Sequence, residues 1–481
     1  MHADLVVRNC KIVTTSETLV GHGVAVQDGK VVAVLREQEL PTASRTIDAG
    51  GHFLMPGAVD PHHHYGFYKE FSEECQRGTM GATFGGMTTA IMMNTMKSML
   101  EVEADKVEHP PTLEMFERIK KTVEENSVID SALRPWISDE VDVADIPAFV
   151  DIFGITSFKF LNHFPKGGRS HRITGFHGMD DGQLLAAWEV VKEVGGVAAV
   201  HAENPYIIRK YMFDVQKRVK SEGRDPTLTD WADARPNIAE YTAQSRDIQL
   251  AQHIGLPIYF VHTSARESID HLYECKRRGI EVYVETCPHY LAFTKHSRFK
   301  DDPTGAFAKQ KAPLRDKADQ ERLWQAINDG TIDCLGSDHM ETFKSAKQQT
   351  DIWGCTWGFP SAETYYPVML SEGVNKGRIS INRLAQIAAE NPARLYGLWP
   401  RKGRIAVGFD ADLVVVDLNK EITVSPDLFP SLSDFNLYDG MTLKGWPIMT
   451  IVRGNVIMEH GKIVGRMGTG KYLRQEKYRR W

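Results

Sequence analysis

At 481 residues, with 42% hydrophobic and 25% charged side chains, the chain has the composition of a folded globular protein. It is longer than the roughly 250 to 300 residues at which one core stops growing. No apolar run approaches the about 18 residues of a membrane span, and a formal charge of -6 argues against a nucleic-acid partner, which needs a concentrated positive field.

In chain order, residues 4–34 open with "DLVVRNCKIV" and "GVAVQDGKVVAV", β-type stretches in which Asp28-Gly29 is a hairpin signal. Eight short aliphatic runs follow: "FLMPGAVD", "TTAIMMN", "VIDSALRPW", "ITSFKFL", "VAAVHAE", "PIYFVHTS", "EVYVETCPH" and "TIDCLGSD". They read as strands buried on both faces, with segments of helical period between most of them. "DGQLLAAWEVVKEVGG" places Leu184, Trp188 and Val191 on one face, and "ADQERLWQAINDG" does the same with Leu323 and Ile327. The alternation predicts an α/β fold, a closed (β/α)8 TIM barrel over 55–400. An open doubly wound sheet is the alternative, but no glycine-rich phosphate loop follows any run. Beyond it, "ADLVVVD" and "IMTIVRGNVIME" return to antiparallel β-type. Residues 1–54 and 401–465 are therefore expected to pair into one small β-sandwich domain, leaving 466–481 as a basic tail or oligomer contact. "GRMGTGKY" nearly matches a phosphate-binding loop, but Tyr472 stands where Ser or Thr must hold magnesium, so the match is rejected.

Six cysteines lie scattered without a CxxC pair, as expected of reduced thiols, and "MHADLVVRNC" lacks the features of a secretory signal. Cytoplasmic residence is the resulting expectation.

The chemistry gathers at the ends of the aliphatic runs. In "PGAVDPHHHYG", alternate strand residues share a face, so His62 and His64 point one way and His63 the other. The runs also end on His201, His262 and Asp338. On the C-terminal rim of one barrel these groups would be costly to desolvate unpaired, and they match a metal site. Lys159, flanked by Phe158 and Phe160, sits inside an apolar run. Desolvation lowers such an amine's pKa, and the neutral amine can add carbon dioxide to give a carbamate that bridges two cations.

This constellation resembles the cyclic-amide branch of the amidohydrolase superfamily, which contains dihydropyrimidinases, hydantoinases and allantoinases. The resemblance runs through "MPGAVDPHHH", "SFKFL", "VHAEN", "FVHTS", "VETCPHYL", "APLR", "GSDH" and "NPARLYGLWPRKGRIAVGFDADLVVVD". It implies two divalent metals, usually zinc, with manganese, cobalt and iron also compatible with the ligand types. His62, His64 and Asp338 would hold one, His201 and His262 the other, and N6-carboxylated Lys159 would bridge them. It further implies hydrolysis of a cyclic amide or imide of hydantoin or dihydropyrimidine type by a metal-bridging hydroxide, with Asp338 passing the proton to the departing nitrogen. Allantoin is the alternative substrate, and a homotetramer is the implied assembly. A non-catalytic scaffold of the same fold is disfavoured because all six ligand positions are present.

Two positions depart from the family pattern. Those enzymes usually carry a tyrosine five positions after the bridging lysine, where this chain has Phe164. Loss of such a donor costs about 2.7 to 4 kcal/mol unless replaced, and the candidate replacements are His163, which could equally be a surface histidine, or a shifted loop residue. Lys311 in "KAPLR" stands in place of a serine, either as an exposed lysine, the commoner case, or as a group to meet an acidic substrate group. The loop "WGCTWG" makes Trp353 a candidate substrate contact, as is Tyr65 in the aromatic stretch after the first strand.

Overall fold

The computed structural model describes residues 2–94, 112–137, 140–162, 179–348 and 350–480. His163 and Phe164 lie outside these.

The barrel strands are Ala58–His64, Met87–Asn94, Asp130–Pro135, Ser157–Leu161, Val197–His201, Ile258–Phe260 and Val282–Thr286, all pairing in parallel with their neighbours. A bridge between Trp136 and Lys159 joins the third strand to the fourth. Two short segments share the eighth position. Cys334–Leu335 pairs with the seventh strand and His339–Met340 with the first, which closes the cylinder. The cylinder is filled near its N-terminal end by Val59, Ile91, Ala199 and Tyr259, packed on Leu395 and Tyr396, all buried.

The two periodic segments form helices Asp181–Glu193 and Lys317–Asp329. Each starts at a capping box that satisfies otherwise orphaned amides, Asp180 with Gln183 and Asp316 with Asp319. Leu184, Trp188 and Val191 on the first, and Leu323 and Ile327 on the second, are buried as their spacing requires.

Both chain ends meet in one nine-stranded sheet that forms the β-sandwich. The run "FLMPGAVD" is two strands rather than one. Phe53–Pro56 belongs to this sheet, lying between His2–Val13 and Leu413–Thr423, and only Ala58–His64 enters the barrel. The sheet is mixed rather than purely antiparallel, because Thr42–Asp48 and Phe53–Pro56 both run parallel to the first strand. Asp28 and Gly29 turn the hairpin between Thr18–Gln27 and Lys30–Arg36 at φ 50° and 74°, the left-handed values such a turn demands.

The basic segment at the C-terminus is held rather than loose. Ser131 N–H donates to Lys471 O at 2.9 Å, Leu473 N–H returns to Ser131 O at 2.8 Å, and Leu473 is fully buried. The segment lies across the N-terminal end of the barrel, opposite the rim that carries the histidines. No helix among the described residues is long and apolar enough to cross a membrane.

Candidate active site

Strand ends bring six predicted side chains into one pocket, which is lined by His62, His64, Lys159, His201, His262 and Asp338. Gln310 and Lys311 reach it from the segment after the seventh strand, and Phe67, Trp136 and Trp357 supply aromatic walls. The pocket is open to solvent, and about 500 Å³ of empty space lies within it and its mouth together.

The donors fall into two groups. His62 Nε2 and His64 Nε2 lie 3.1 Å and 3.3 Å from Asp338 Oδ1. His201 Nδ1 faces His262 Nε2 at 2.8 Å. Carboxylates behind them determine which nitrogen carries the proton. Glu285 Oε1 is 2.7 Å from His62 Nδ1, and Glu203 Oε2 is 3.0 Å from His201 Nε2. Each carboxylate accepts the N–H on its side and leaves the opposite nitrogen's lone pair turned into the pocket, as in carboxylate–histidine–metal arrangements. Glu285 is held in turn by the Tyr259 hydroxyl at 2.6 Å and the His262 amide at 2.9 Å. Glu203 is held by Arg235. Gln310 Nε2 donates to Asp338 Oδ2 at 2.8 Å.

The backbone is arranged around the same groups. His262 and Asp338 stand at φ 39° and 50°, a region that costs a non-glycine residue of order 1–3 kcal/mol, so the surrounding packing holds them there.

Burial dominates the electrostatics. It lowers Lys159 to about 7, so a neutral amine is accessible near neutral pH. It also lowers His64 and His201 to about 4, which keeps both imidazoles neutral and able to ligate. Burial alone would raise Glu203, but the Arg235 guanidinium outweighs it and brings this carboxyl to about 2.

Two predicted substrate contacts lie elsewhere. Tyr65 follows His63 on the opposite face of the first strand, its ring 4.5 Å from that of His63 and 5.8 Å from that of His339. Strand alternation that aims His62 and His64 inward necessarily turns Tyr65 away. Trp353 packs 6.5 Å from Trp231, and Trp357 lines the pocket in its place. Among residues the sequence reading passed over, Glu285 had a signal, a carboxylate inside the apolar run "EVYVETCPH". Glu203, two residues past His201, had a weaker one, and Gln310 and Arg235 had none.

The amidohydrolase family model matches residues 175–457, and the NagA composite domain model matches residues 6–54. The chain belongs to the amidohydrolase family. The L-hydantoinase of Paenarthrobacter aurescens is 32% identical over 488 residues, covering 99% of each chain. The D-hydantoinase of Geobacillus stearothermophilus is 32% identical over 98% of this chain and 96% of its own. Among solved structures, a D-hydantoinase from a Bacillus sp. AR9 superimposes with TM-score 0.87 at 28% identity, covering 99% of this chain and 100% of that one. In this amidohydrolase the small sheet and the barrel thus both match relatives along nearly their whole length.

Proposed function

We propose that this amidohydrolase opens a cyclic amide or imide ring of hydantoin or dihydropyrimidine type, using two divalent cations, zinc by preference. The observation that carries the reading is the outward-in order of the donors: carboxylates fix the proton on the far nitrogen of His62 and His201, and the near lone pairs converge with Asp338, His64, His262 and Lys159. Imidazole and carboxylate donors suit zinc, and manganese, cobalt and iron are compatible with the same set. His62, His64 and Asp338 would hold one ion and His201 and His262 the other, with carboxylated Lys159 shared. When bound, such ions acidify water and polarise the carbonyl under attack.

The chain's own residues do the rest. Asp338 Oδ1 faces the His62 and His64 nitrogens, while Oδ2 is oriented by Gln310 and is the oxygen placed to accept a proton and deliver it to the leaving ring nitrogen. Trp136, Phe67 and Trp357 exclude water around the ring. The family resemblance supports a homotetramer, which analytical ultracentrifugation reads directly.

A panel of 5-substituted hydantoins, dihydrouracil, allantoin and succinimide, assayed for ring opening with metal content measured in parallel, tests the reading. Turnover of a hydantoin or dihydropyrimidine with two metals per subunit is expected. A protein carrying two metals that opens none of them overturns it.

A further inference from the structure

Trp231 takes no part in the ring-opening chemistry, yet it touches the supports of both donor groups. It lies on the short helix Leu228–Asp233, which starts at a capping box made by Thr227 and Asp230 and is tied down by Arg218 and Arg224, both paired with Asp230. Its side chain is buried, and the indole N–H donates to the backbone carbonyl of Gln310 at 2.7 Å. Two cations rest over the ring. Lys309 Nζ stands 4.3 Å from the centroid, and the Arg235 guanidinium, the group that holds Glu203, stands at 5.1 Å. Such contacts stabilise the cations and fix the plane of the indole.

Gln310 is left without freedom by these neighbours. Its carbonyl is taken by Trp231, and its side-chain oxygen accepts the Lys311 backbone N–H at 3.1 Å. A backbone N–H can only donate, so it settles which end of the Gln310 amide is oxygen. The other end, Nε2, then faces Asp338 Oδ2 at 2.8 Å.

We propose that Trp231 is a positioning residue for Asp338: its N–H holds the Gln310 backbone where the Gln310 amide orients the Asp338 carboxylate, both as a metal ligand and as the group that passes the proton. A buried carbonyl left without a donor is destabilising, so loss of the N–H turns the Gln310 backbone toward another partner and carries the side chain with it. The hydrogen bonds behind a ligating carboxylate set its aim, and a shift there weakens the hold on a metal. The proton-passing half rests on the ring-opening reading. The ligand half rests on the donor set alone.

The test replaces the indole by 3-benzothienylalanine at position 231, which keeps the bicyclic shape and puts sulfur where the N–H stands, alone and combined with Gln310→Ala. Zinc affinity is read by chelator competition, and ring opening by kcat and KM. Gln310→Ala should lose about 10- to 100-fold in zinc affinity. The indole replacement should lose about three- to tenfold, the range of one net hydrogen bond. Its kcat should fall about as much, with KM within about twofold of the wild type. On the Gln310→Ala background the replacement should lose nothing further, because residues acting through one chain of hydrogen bonds do not add, whereas a packing role elsewhere would. The isosteric side chain guards against a folding defect, and Trp231→Phe should repeat its losses. Unchanged zinc affinity on replacing the indole, or losses that add to those of Gln310→Ala, overturns the proposal. If no cyclic amide is opened, a fall in zinc affinity that vanishes on the Gln310→Ala background upholds the role of Trp231 while the ring-opening reading falls, so the two fail separately.

Discussion

Lys159 is the residue at which burial becomes chemistry. An ammonium between Phe158 and Phe160, with almost no solvent exposure, would be an unpaired buried charge. Its lowered pKa makes the neutral amine available for the carboxylation proposed above, which would turn a liability into a ligand. Lys159→Ala is expected to lose at least about a thousandfold in kcat/KM, since Lewis-acid stabilisation is worth several kcal/mol. Part of that loss should return on adding millimolar propionate, whose carboxylate fits the space the side chain leaves. A variant whose activity is untouched, or never rescued, argues against a bridging carbamate. Glu285 acts one step further out. Glu285→Gln keeps the shape but weakens the hold on His62 Nδ1–H, and metal affinity measured by chelator competition should fall about 10- to 100-fold.

At the level of the element, the eighth strand is instructive because it is interrupted. Cys334–Leu335 pairs with the seventh strand, the chain breaks through Gly336, Ser337 and Asp338, and His339–Met340 resumes against the first. The break has a structural price in lost ladder bonds, compensated by the Ser337 hydroxyl donating to Asp60 Oδ2 at 2.6 Å and its amide to Asp60 Oδ1 at 2.9 Å. It places the Asp338 carboxylate at the rim in a left-handed conformation. Glycine is required at 336 because a Cβ there would stand 2.5 Å from the Glu285 carboxyl carbon. Gly336→Ala should therefore act through Glu285 and His62. Overpacking of this kind costs about 1–3 kcal/mol, and a loss of bound metal on dialysis exceeding that of the wild type is the expected readout. Retention of full metal occupancy would show that Glu285 can move without releasing His62.

For the whole molecule, the junction between barrel and small sheet rests on a buried charge cluster. Lys402 Nζ lies 2.5 Å from Asp130, 2.6 Å from Asp412 and 3.0 Å from Asp410, and Arg453 Nε adds a second cation 2.9 Å from Asp130. Asp130 opens the third barrel strand, while Asp410 and Asp412 precede the sheet strand Leu413–Thr423. Removing the shared cation in Lys402→Met leaves the buried Asp412 carboxylate without a cation, while Asp130 keeps Arg453 and Asp410 keeps Arg401 and Lys30, so a loss of about 3–5 kcal/mol in stability is expected from denaturant unfolding. The pH dependence follows from the same contacts. Burial opposes ionisation of Asp130 and Asp410, but Lys402 outweighs it and holds both below the usual carboxylate range. A carboxyl depressed in the folded state binds fewer protons there than in the unfolded chain, so its contribution is complete above the unfolded pKa of about 3.9 and disappears as pH falls through the folded value. As far as Asp130 and Asp410 are concerned, the wild-type melting temperature should hold level near pH 5 to 7 and drop below about pH 4, while Asp412, whose carboxyl burial pushes up, works against part of that drop. Lys402→Met should show a smaller acid drop, because the largest of the charges that depress those carboxyls is gone.

The sequence by itself determined whatever depends on neighbours along the chain. Apolar runs separated by helical periods specify the barrel, strand alternation aims His62 and His64 together, polar residues at run ends mark His201, His262 and Asp338 on one rim, and Asp28-Gly29 makes a turn. Tertiary structure alone decided the pairings that barrel closure creates. Glu285 meets His62 across 223 positions of sequence, Gln310 meets Asp338, and Trp357 rather than Trp353 lines the pocket. The C-terminal segment, polar enough to read as a tail, is ordered because the open end of the barrel offers Ser131 backbone groups and an apolar seat for Leu473. The physical reason is the same in each case: periodicity encodes which way a side chain points, whereas what it meets depends on hydrogen bonds and buried surface contributed by distant segments.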